Sequence, residues 1–163
     1  MTDNMTPVDW AKRPLQKYAD FSGRAPRPEY WWYTLAVIVL GIIVSTIEST
    51  LGLPRLYLTY GPLSLLLMLA LIAPGLAVTV RRLHDTGRSG WWILVALVPY
   101  AAMMVAAGGA VASGSMGALA GAGLLTIVAL CGAIALLIFM ILPGTARDNR
   151  YGPSPYGIAA PAE

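Results

Sequence analysis

The chain has 163 residues, of which 57% are hydrophobic and only 12% are charged, and its formal net charge is +3. Soluble domains carry about 25% charged residues, so this composition excludes a soluble enzyme domain and a disordered tail. The single cysteine cannot form a disulfide within the chain, which also excludes a small disulfide-stapled protein.

The N-terminal segment, residues 1–29, is polar and contains no apolar run long enough for a cleaved signal peptide. Proline suits the first position of a helix, so Pro14 predicts the start of a short helix that runs to Phe21. Its apolar face would consist of Leu15, Tyr18 and Ala19. Such an amphipathic helix is expected to lie on the membrane surface.

Three long runs without charged residues follow, at 30–47, 56–80 and 89–146. About 20 apolar residues cross a hydrocarbon core of ~30 Å, so the first two runs fit one span each. The third is too long for one span, and glycines and serines near its middle indicate a turn. We therefore predict an all-α, polytopic membrane protein with four transmembrane helices at about 30–50, 60–80, 91–111 and 119–142. They form a domain at 30–142, followed by a tail at 143–163.

Basic residues fix the predicted orientation. Apart from Arg55, every lysine and arginine lies in the N-terminal segment, the loop after the second span or the C-terminal tail. An even number of spans places these three regions on one side, and cytoplasmic segments are enriched in basic residues. Both termini are therefore predicted to be cytoplasmic. Paired tryptophans that open spans one and three fit the headgroup level on that side, namely Trp31, Trp32, Trp91 and Trp92.

Two segments of the sequence resemble each other. Gly23-Arg24 precedes the first tryptophan pair, Gly87-Arg88 precedes the second, and each pair is followed by two spans. One interpretation is two parallel two-helix halves related by an axis along the membrane normal. The alternative is that both positions need interfacial anchors and share nothing more.

The loop after the second span is the densest polar segment, from Arg81 to Trp92. One interpretation is structural, because cations suit a helix C-terminus and glycine permits a tight turn. In this interpretation Asp85, Gly87 and Gly90 have structural roles in the loop. Glu29 and the four tryptophans are likewise expected to be structural. The other is an anion site for a phosphate or lipid headgroup. Its candidate ligand-binding residues are Arg24, Arg27, Arg81, Arg82, His84 and Arg88.

No arrangement of residues predicts catalysis. His84 and Asp85 are adjacent in sequence, and neighbours rarely orient each other as a base and its partner must. His84 is the only histidine, which excludes a site with several histidine ligands. We expect no catalytic residues, no metal and no cofactor.

Two glutamates and a proline stand out near or within the spans. Glu29 suits the start of span one and is predicted to pair with Arg81, Arg82 or Arg88. Glu48 near the outer end of that span is costly if it faces lipid. It could reach outward, pair with Arg55 or act as a proton-linked carboxylate. Pro74-Gly75 should kink span two.

Small residues recur in the last two spans and are expected to allow close helix packing. Packing within this hairpin and a homo-oligomer face are both open. The residues concerned are Ala102, Ala106, Ala110, Gly117 and Gly121.

Three segments together resemble a known family. They begin at Tyr18, at Arg81 and at Asn149, and read Y-x-x-F-x-G-R-x-x-R-x-E-Y-W-W, R-R-L-H-D-T-G-R-S-G-W-W and N-R-Y-G-P. In this order they are similar to the bacterial domain-of-unknown-function 805 family, the YhaH-like small inner-membrane proteins. The resemblance covers about residues 15–157. It implies a four-span protein of the bacterial inner (plasma) membrane without an assigned activity.

The sequence therefore favours a non-enzymatic membrane protein whose basic cytoplasmic face binds anionic phospholipid or a partner protein. The alternatives are an accessory subunit of a larger membrane complex and a small transporter or channel. Basic residues placed at a membrane surface do not indicate nucleic acid.

Overall fold

The computed structural model describes residues 5–56 and 60–156. Over these residues the chain forms five α-helices and no β-strand. They are α1 (Pro7–Gln16), α2 (Arg27–Thr50), α3 (Pro62–Asp85), α4 (Leu94–Ser113) and α5 (Met116–Ile141), and a 3₁₀ turn at Gly90–Ile93 leads into α4.

The predicted all-α membrane fold is confirmed. Helices α2, α3 and α5, and α4 with its 3₁₀ turn, are long and apolar enough to cross a membrane. Helix α3 continues to Asp85, past the predicted end near residue 80. The reason is that Arg81 and Arg82 are fully buried and hold ion-pair partners, so they extend the helix beyond the apolar run.

The predicted start of the N-terminal helix at Pro14 is wrong. Helix α1 begins at Pro7, where Thr6 and Asp9 form a capping box at its N-terminus. Pro7 and Pro14 both satisfy the preference of proline for a first helical turn, and the capping box decides between them. Pro14 instead lies inside α1, where it is buried together with Trp10.

Glu48 joins the C-terminal end of α2 to the N-terminal end of α3. Its carboxylate accepts hydrogen bonds from the backbone N–H groups of Leu63 (2.6 Å) and Ser64 (2.9 Å), and its side chain is buried. The first N–H groups of a helix lack partners within the helix, and a negative charge there is favourable. Glu48 is thus a capping group for α3 supplied by the neighbouring helix, and none of its three predicted roles describes that contact.

Pro74 leaves a backbone carbonyl in α3 without its usual partner. Proline has no N–H to donate to the carbonyl four residues earlier, which here belongs to Ala70. The Tyr18 hydroxyl donates a hydrogen bond to that oxygen. The Tyr33 hydroxyl donates to the next carbonyl, Leu71 O, at 3.4 Å. The carbonyl freed by the proline and the carbonyl that follows it therefore both have tyrosine donors.

Helices α4 and α5 form a hairpin. The turn is made by Gly114 at φ +59°, in the left-handed region, which glycine adopts without strain. The close approach occurs at Gly132, where a Cβ atom would overlap the backbone carbonyl of Val95. Ala110 is buried as predicted, whereas Ala102 is exposed and a Cβ on Gly121 would meet no atom within 4 Å.

The α2–α3 and α4–α5 hairpins meet near one end of the molecule. Helix α3 contacts the 3₁₀ turn and α5, and α2 also contacts α5. The same end receives the segment before α2 and the segment after α5. We call this region, formed by residues 17–29, 81–90 and 142–156, the basic end.

Candidate functional site

The basic end brings together three segments that are far apart in sequence. The backbone N–H of Ala25 donates to the carbonyl of Arg81 at 3.0 Å. Nδ1 of His84 lies 3.2 Å from the carbonyl of Gly23. The segment before the first span and the loop after the second therefore meet, as an anion site built from both would require.

Asp85 is the centre of the first cluster. One carboxylate oxygen, Oδ1, lies 3.0 Å from Nε and 2.9 Å from Nη2 of Arg24. The other, Oδ2, pairs with Nη1 of Arg82 and accepts a hydrogen bond from the Tyr156 hydroxyl at 2.7 Å. The side chains of Asp85 and both arginines are essentially inaccessible to solvent. Pairing of this kind is what allows ionised groups to be buried.

Backbone carbonyls from the last turn of α5 and from the chain after it accept hydrogen bonds from further N–H groups of these two arginines. Arg24 donates to the carbonyl of Arg147 at 2.9 Å and to that of Thr145. Arg82 donates to the carbonyl of Met140 at 3.3 Å and to that of Leu142. These carbonyls occupy the donors with which Arg24 and Arg82 were predicted to hold an anion.

We call residues 142–156 the strap, because they cross the C-terminus of α3. Thr145 donates its backbone N–H to the carbonyl of Asp85 at 2.8 Å, and Asn149 donates to the carbonyl of His84 at 3.0 Å. The ring of Tyr151 stacks on His84 with 3.9 Å between centroids. The strap thus satisfies carbonyls that a helix end otherwise leaves open.

A second buried cluster surrounds Glu29. Its Oε1 lies 2.8 Å from Nη1 of Arg81, and its Oε2 lies 3.5 Å from Nε of Arg13. Of the three predicted arginine partners, the structure pairs Glu29 with Arg81. Two buried nitrogen atoms of Arg81, Nε and Nη2, have no hydrogen-bond partner among the described residues. Oε2 of Glu29 is also buried and also lacks a hydrogen-bond donor there.

Arg88 does not join either cluster. Its guanidinium lies 4.2 Å from the ring centroid of Phe139, and its Nη1 donates to the carbonyl of Thr86 at 3.4 Å. The structure therefore does not arrange Arg24, Arg81, Arg82 and Arg88 around one pocket. Arg24 and Arg88, which occupy matching places in the two similar segments, also make unlike contacts.

The two glycines of the loop have different roles. Gly87 has a φ of +76° and makes the turn after α3 as predicted. Gly90 is required for space, since a Cβ atom there would lie 2.7 Å from Cγ1 of Val80. Trp31, Trp32, Trp91 and Trp92 are exposed, as tryptophans at a membrane interface should be.

Sequence reasoning missed Thr145 and Tyr156, which hold the strap against Asp85. A polar tail that follows an apolar span is the only local signal, and it does not reveal a partner 60 or 71 positions away. Asn149 and Tyr151 lie in one of the family-like segments, but that pattern by itself predicts no contact for either side chain.

Comparison with known proteins agrees with this architecture. The family model described as a protein of unknown function (DUF805) matches residues 18–153. Inner membrane protein YhaI of Escherichia coli (strain K12) is 36% identical over 148 residues, which cover 91% of this chain and 96% of the relative. Inner membrane protein YhaH of the same strain is 29% identical over 91% of this chain and 97% of its own length. The uncharacterized protein YiiR is 31% identical over 81% of this chain and 83% of its own length. No solved structure matches the chain. The matched region contains the buried residues of both clusters and most of the strap, and the chain belongs to the DUF805 family.

Proposed function

We propose that this chain is a non-enzymatic multi-pass protein of the bacterial inner membrane whose basic end faces the cytoplasm and binds anionic phospholipid. The carrying observation is that some cations of this end are buried against carboxylates whereas others stay at the surface. Arg24, Arg81 and Arg82 are buried against carboxylates. A second set remains exposed or half-exposed around them.

We call the second set the basic rim. Its members are Lys12, Arg27, Arg88, Arg147 and Arg150. Each lysine or arginine near an anionic membrane surface contributes about 1 kcal/mol of attraction. The exposed tryptophans of the same end support a position of these cations near headgroup level.

The contacts of the ionisable groups favour a structural role over a catalytic one. Nδ1 of His84 faces the carbonyl of Gly23, and one face of its ring is covered by Tyr151. Both carboxylate oxygens of Asp85 have partners. Glu48 caps α3, so it gives no support to a transport pathway.

Orientation is tested by a reporter fused after Glu163. A cytoplasm-dependent reporter should be active there, and one that works only in the periplasm should be silent. A second fusion in the loop that contains Arg55 should give the opposite pattern. Periplasmic activity after Glu163 would refute the proposed orientation.

Lipid binding is tested by titrating purified protein in detergent with fluorescent phosphatidylglycerol at low and high salt. Replacing Arg27, Arg88, Arg147 and Arg150 together with glutamine should remove most of the salt-sensitive binding, because exposed charges are screened by salt. The matched control replaces Arg55, at the other end, with glutamine. Equal salt-sensitive binding by the quadruple variant and the wild-type protein would contradict the proposal.

The glycines of the spans favour a second candidate, an accessory subunit of a membrane complex. A Cβ atom on Gly41, Gly108 or Gly121 would meet no atom of the described residues within 4 Å beyond the neighbouring backbone of its own helix. Glycine weakens a helix unless something approaches closely, and small residues are typical of helix contacts in membranes. Copurification of a stoichiometric membrane protein in mild detergent, lost on replacing these glycines with leucine, is the expected result.

A further inference from the structure

The guanidinium of Arg81 offers an unused binding edge inside the protein. Its side chain is 0% exposed, and its Nη1 is engaged by Glu29 at 2.8 Å. Its Nε and Nη2 atoms have no hydrogen-bond partner among the described residues. These two N–H groups form the fork that binds a carboxylate or phosphate in bidentate fashion. A buried charged donor without an acceptor is costly, so an occupied fork is the favourable state.

Other cations surround this fork. Nε of Arg13 lies 3.5 Å from Oε2 of Glu29, the carboxylate oxygen that does not contact Arg81. The pKa of Asp20 is lowered by hydrogen bonds from Ser22, and to a lesser extent by the charges of Lys17 and Arg81. Arg81, Arg13 and Lys17 thus supply three positive charges against the two carboxylates of Glu29 and Asp20.

The cluster lies at the ends of two membrane helices. Glu29 is in the first turn of α2, and Arg81 is in the last turns of α3. Trp31 and Trp32 follow Glu29 closely and are exposed, as residues at headgroup depth are. An anion that reaches the Arg81 fork from the bilayer would therefore do so at the level where phosphate groups of lipids lie.

An apolar groove lies between α1 and α2, the helices that carry Arg13 and Glu29 of this cluster. Its volume is about 540 Å³, and it is lined by Val8 and Leu15 of α1 and by Leu35 and Val39 of α2, with Lys12 also on its wall. Helix α1, which forms one wall, also carries Arg13. A basic cluster next to an apolar groove complements a molecule with an anionic head and an acyl chain, whereas free phosphate would use the cluster alone.

We propose that Arg81, with Arg13 and Lys17, binds the phosphate of one phospholipid whose acyl chain lies in the groove between α1 and α2. This site rests on the proposed function, but it differs from the basic rim in being buried. Binding at the rim is screened by salt, whereas a buried ion pair is screened much less. One phospholipid per chain should therefore stay bound at high salt.

Native mass spectrometry of the full chain at high salt with added phosphatidylglycerol tests the site. The wild-type protein should retain one lipid, and Arg81→Lys should bind it at least tenfold more weakly, because lysine keeps the charge but lacks the fork. Arg55→Lys is the matched control and should bind as the wild-type protein does, because Arg55 lies between α2 and α3 at the opposite end of the molecule. Arg13→Gln leaves the pair between Arg81 and Glu29 intact and should weaken binding several-fold, which keeps the test available if Arg81→Lys does not fold.

The outcomes separate this site from the basic rim. If the quadruple rim variant keeps one lipid at high salt while Arg81→Lys loses it, the buried site is supported independently of the rim. If wild-type protein retains no lipid at high salt but binds it at low salt, the site is overturned and the rim survives. If Arg81→Lys and Arg13→Gln both retain the lipid at high salt as the wild-type protein does, the buried site is also overturned. Displacement of the lipid by inorganic phosphate at comparable concentration would overturn the assignment to phospholipid.

Discussion

Single side chains decide where charge is tolerated in this protein. Asp85 holds two buried guanidiniums at once, through Oδ1 to Arg24 and through Oδ2 to Arg82. Removing one partner of a buried ion pair leaves the other charge without compensation, which costs far more than the pair itself contributes. The carboxylate is therefore more important to stability than either arginine alone.

We accordingly expect Asp85→Asn to lower the free energy of unfolding by about 3–5 kcal/mol. Asp148→Asn is the control, since Asp148 is exposed and its Oδ1 accepts one backbone hydrogen bond, from Ser154, that asparagine can also accept. Thermal unfolding in detergent measures both. Equal midpoints for the two variants would show that the Asp85 cluster contributes little.

The sequence predicts the positions of the spans in this structure, but it does not predict which side chains contact one another between helices. Charge-free runs are sufficient to place four spans, because lipid excludes ionised groups. The start of α1 needed the pairing of Thr6 with Asp9, since Pro7 and Pro14 are equally good by themselves. The partners of Arg24 and Glu48 depend on how the helices pack, and no local pattern reveals contacts of that kind.

At the scale of elements, Pro74 removes one backbone hydrogen bond from α3, and a tyrosine from another segment replaces it. The Tyr18 hydroxyl bonds the carbonyl of Ala70 that Pro74 cannot bind. Tyr18→Phe should cost about 1 kcal/mol, as loss of one hydrogen bond does. In a Pro74→Ala background the same change should cost much less, because the alanine introduced there supplies the missing N–H itself. A double-mutant cycle measured by unfolding tests this, and equal costs in both backgrounds would contradict it.

The α4–α5 hairpin depends on one glycine contact. Gly132→Ala should destabilise the protein by about 1–3 kcal/mol, because the added methyl group overlaps the backbone of α4 at Val95 and the helices must separate. Gly121→Ala adds the same group where nothing lies within 4 Å, and it should be neutral or stabilising by up to about 1 kcal/mol. Unfolding midpoints that do not separate the two variants would refute the predicted contact.

At the scale of the whole molecule, the strap closes the basic end by joining the last segment of the chain to α3. Tyr156 is part of this closure, and burial together with the hydrogen bond to Asp85 raises the pKa of its hydroxyl above the usual value of 10.0. A raised folded-state pKa means that the folded chain holds the proton more tightly than the unfolded chain. The stability contributed by Tyr156 is complete below pH 10.0 and is lost as the pH rises through the folded-state pKa.

Wild-type protein should therefore lose more thermal stability than Tyr156→Phe between about pH 8 and about pH 11. Phenylalanine has no proton to lose, so the variant starts less stable but changes less over this range. Circular dichroism melts at the two pH values give the comparison. A change of equal size in both proteins would mean that Tyr156 does not couple the strap to pH.

The strap also imposes an order on biosynthesis. Arg24 is made early and Arg82 midway, yet the carbonyls that saturate both guanidiniums lie between Met140 and Arg147. Proteins emerge N-terminus first, so the two arginines must wait in the nascent chain until the last span has been delivered. A ribosome that stops before residue 140 would leave both charges without these acceptors. An incomplete copy therefore presents guanidinium N–H groups that are bonded in the finished protein.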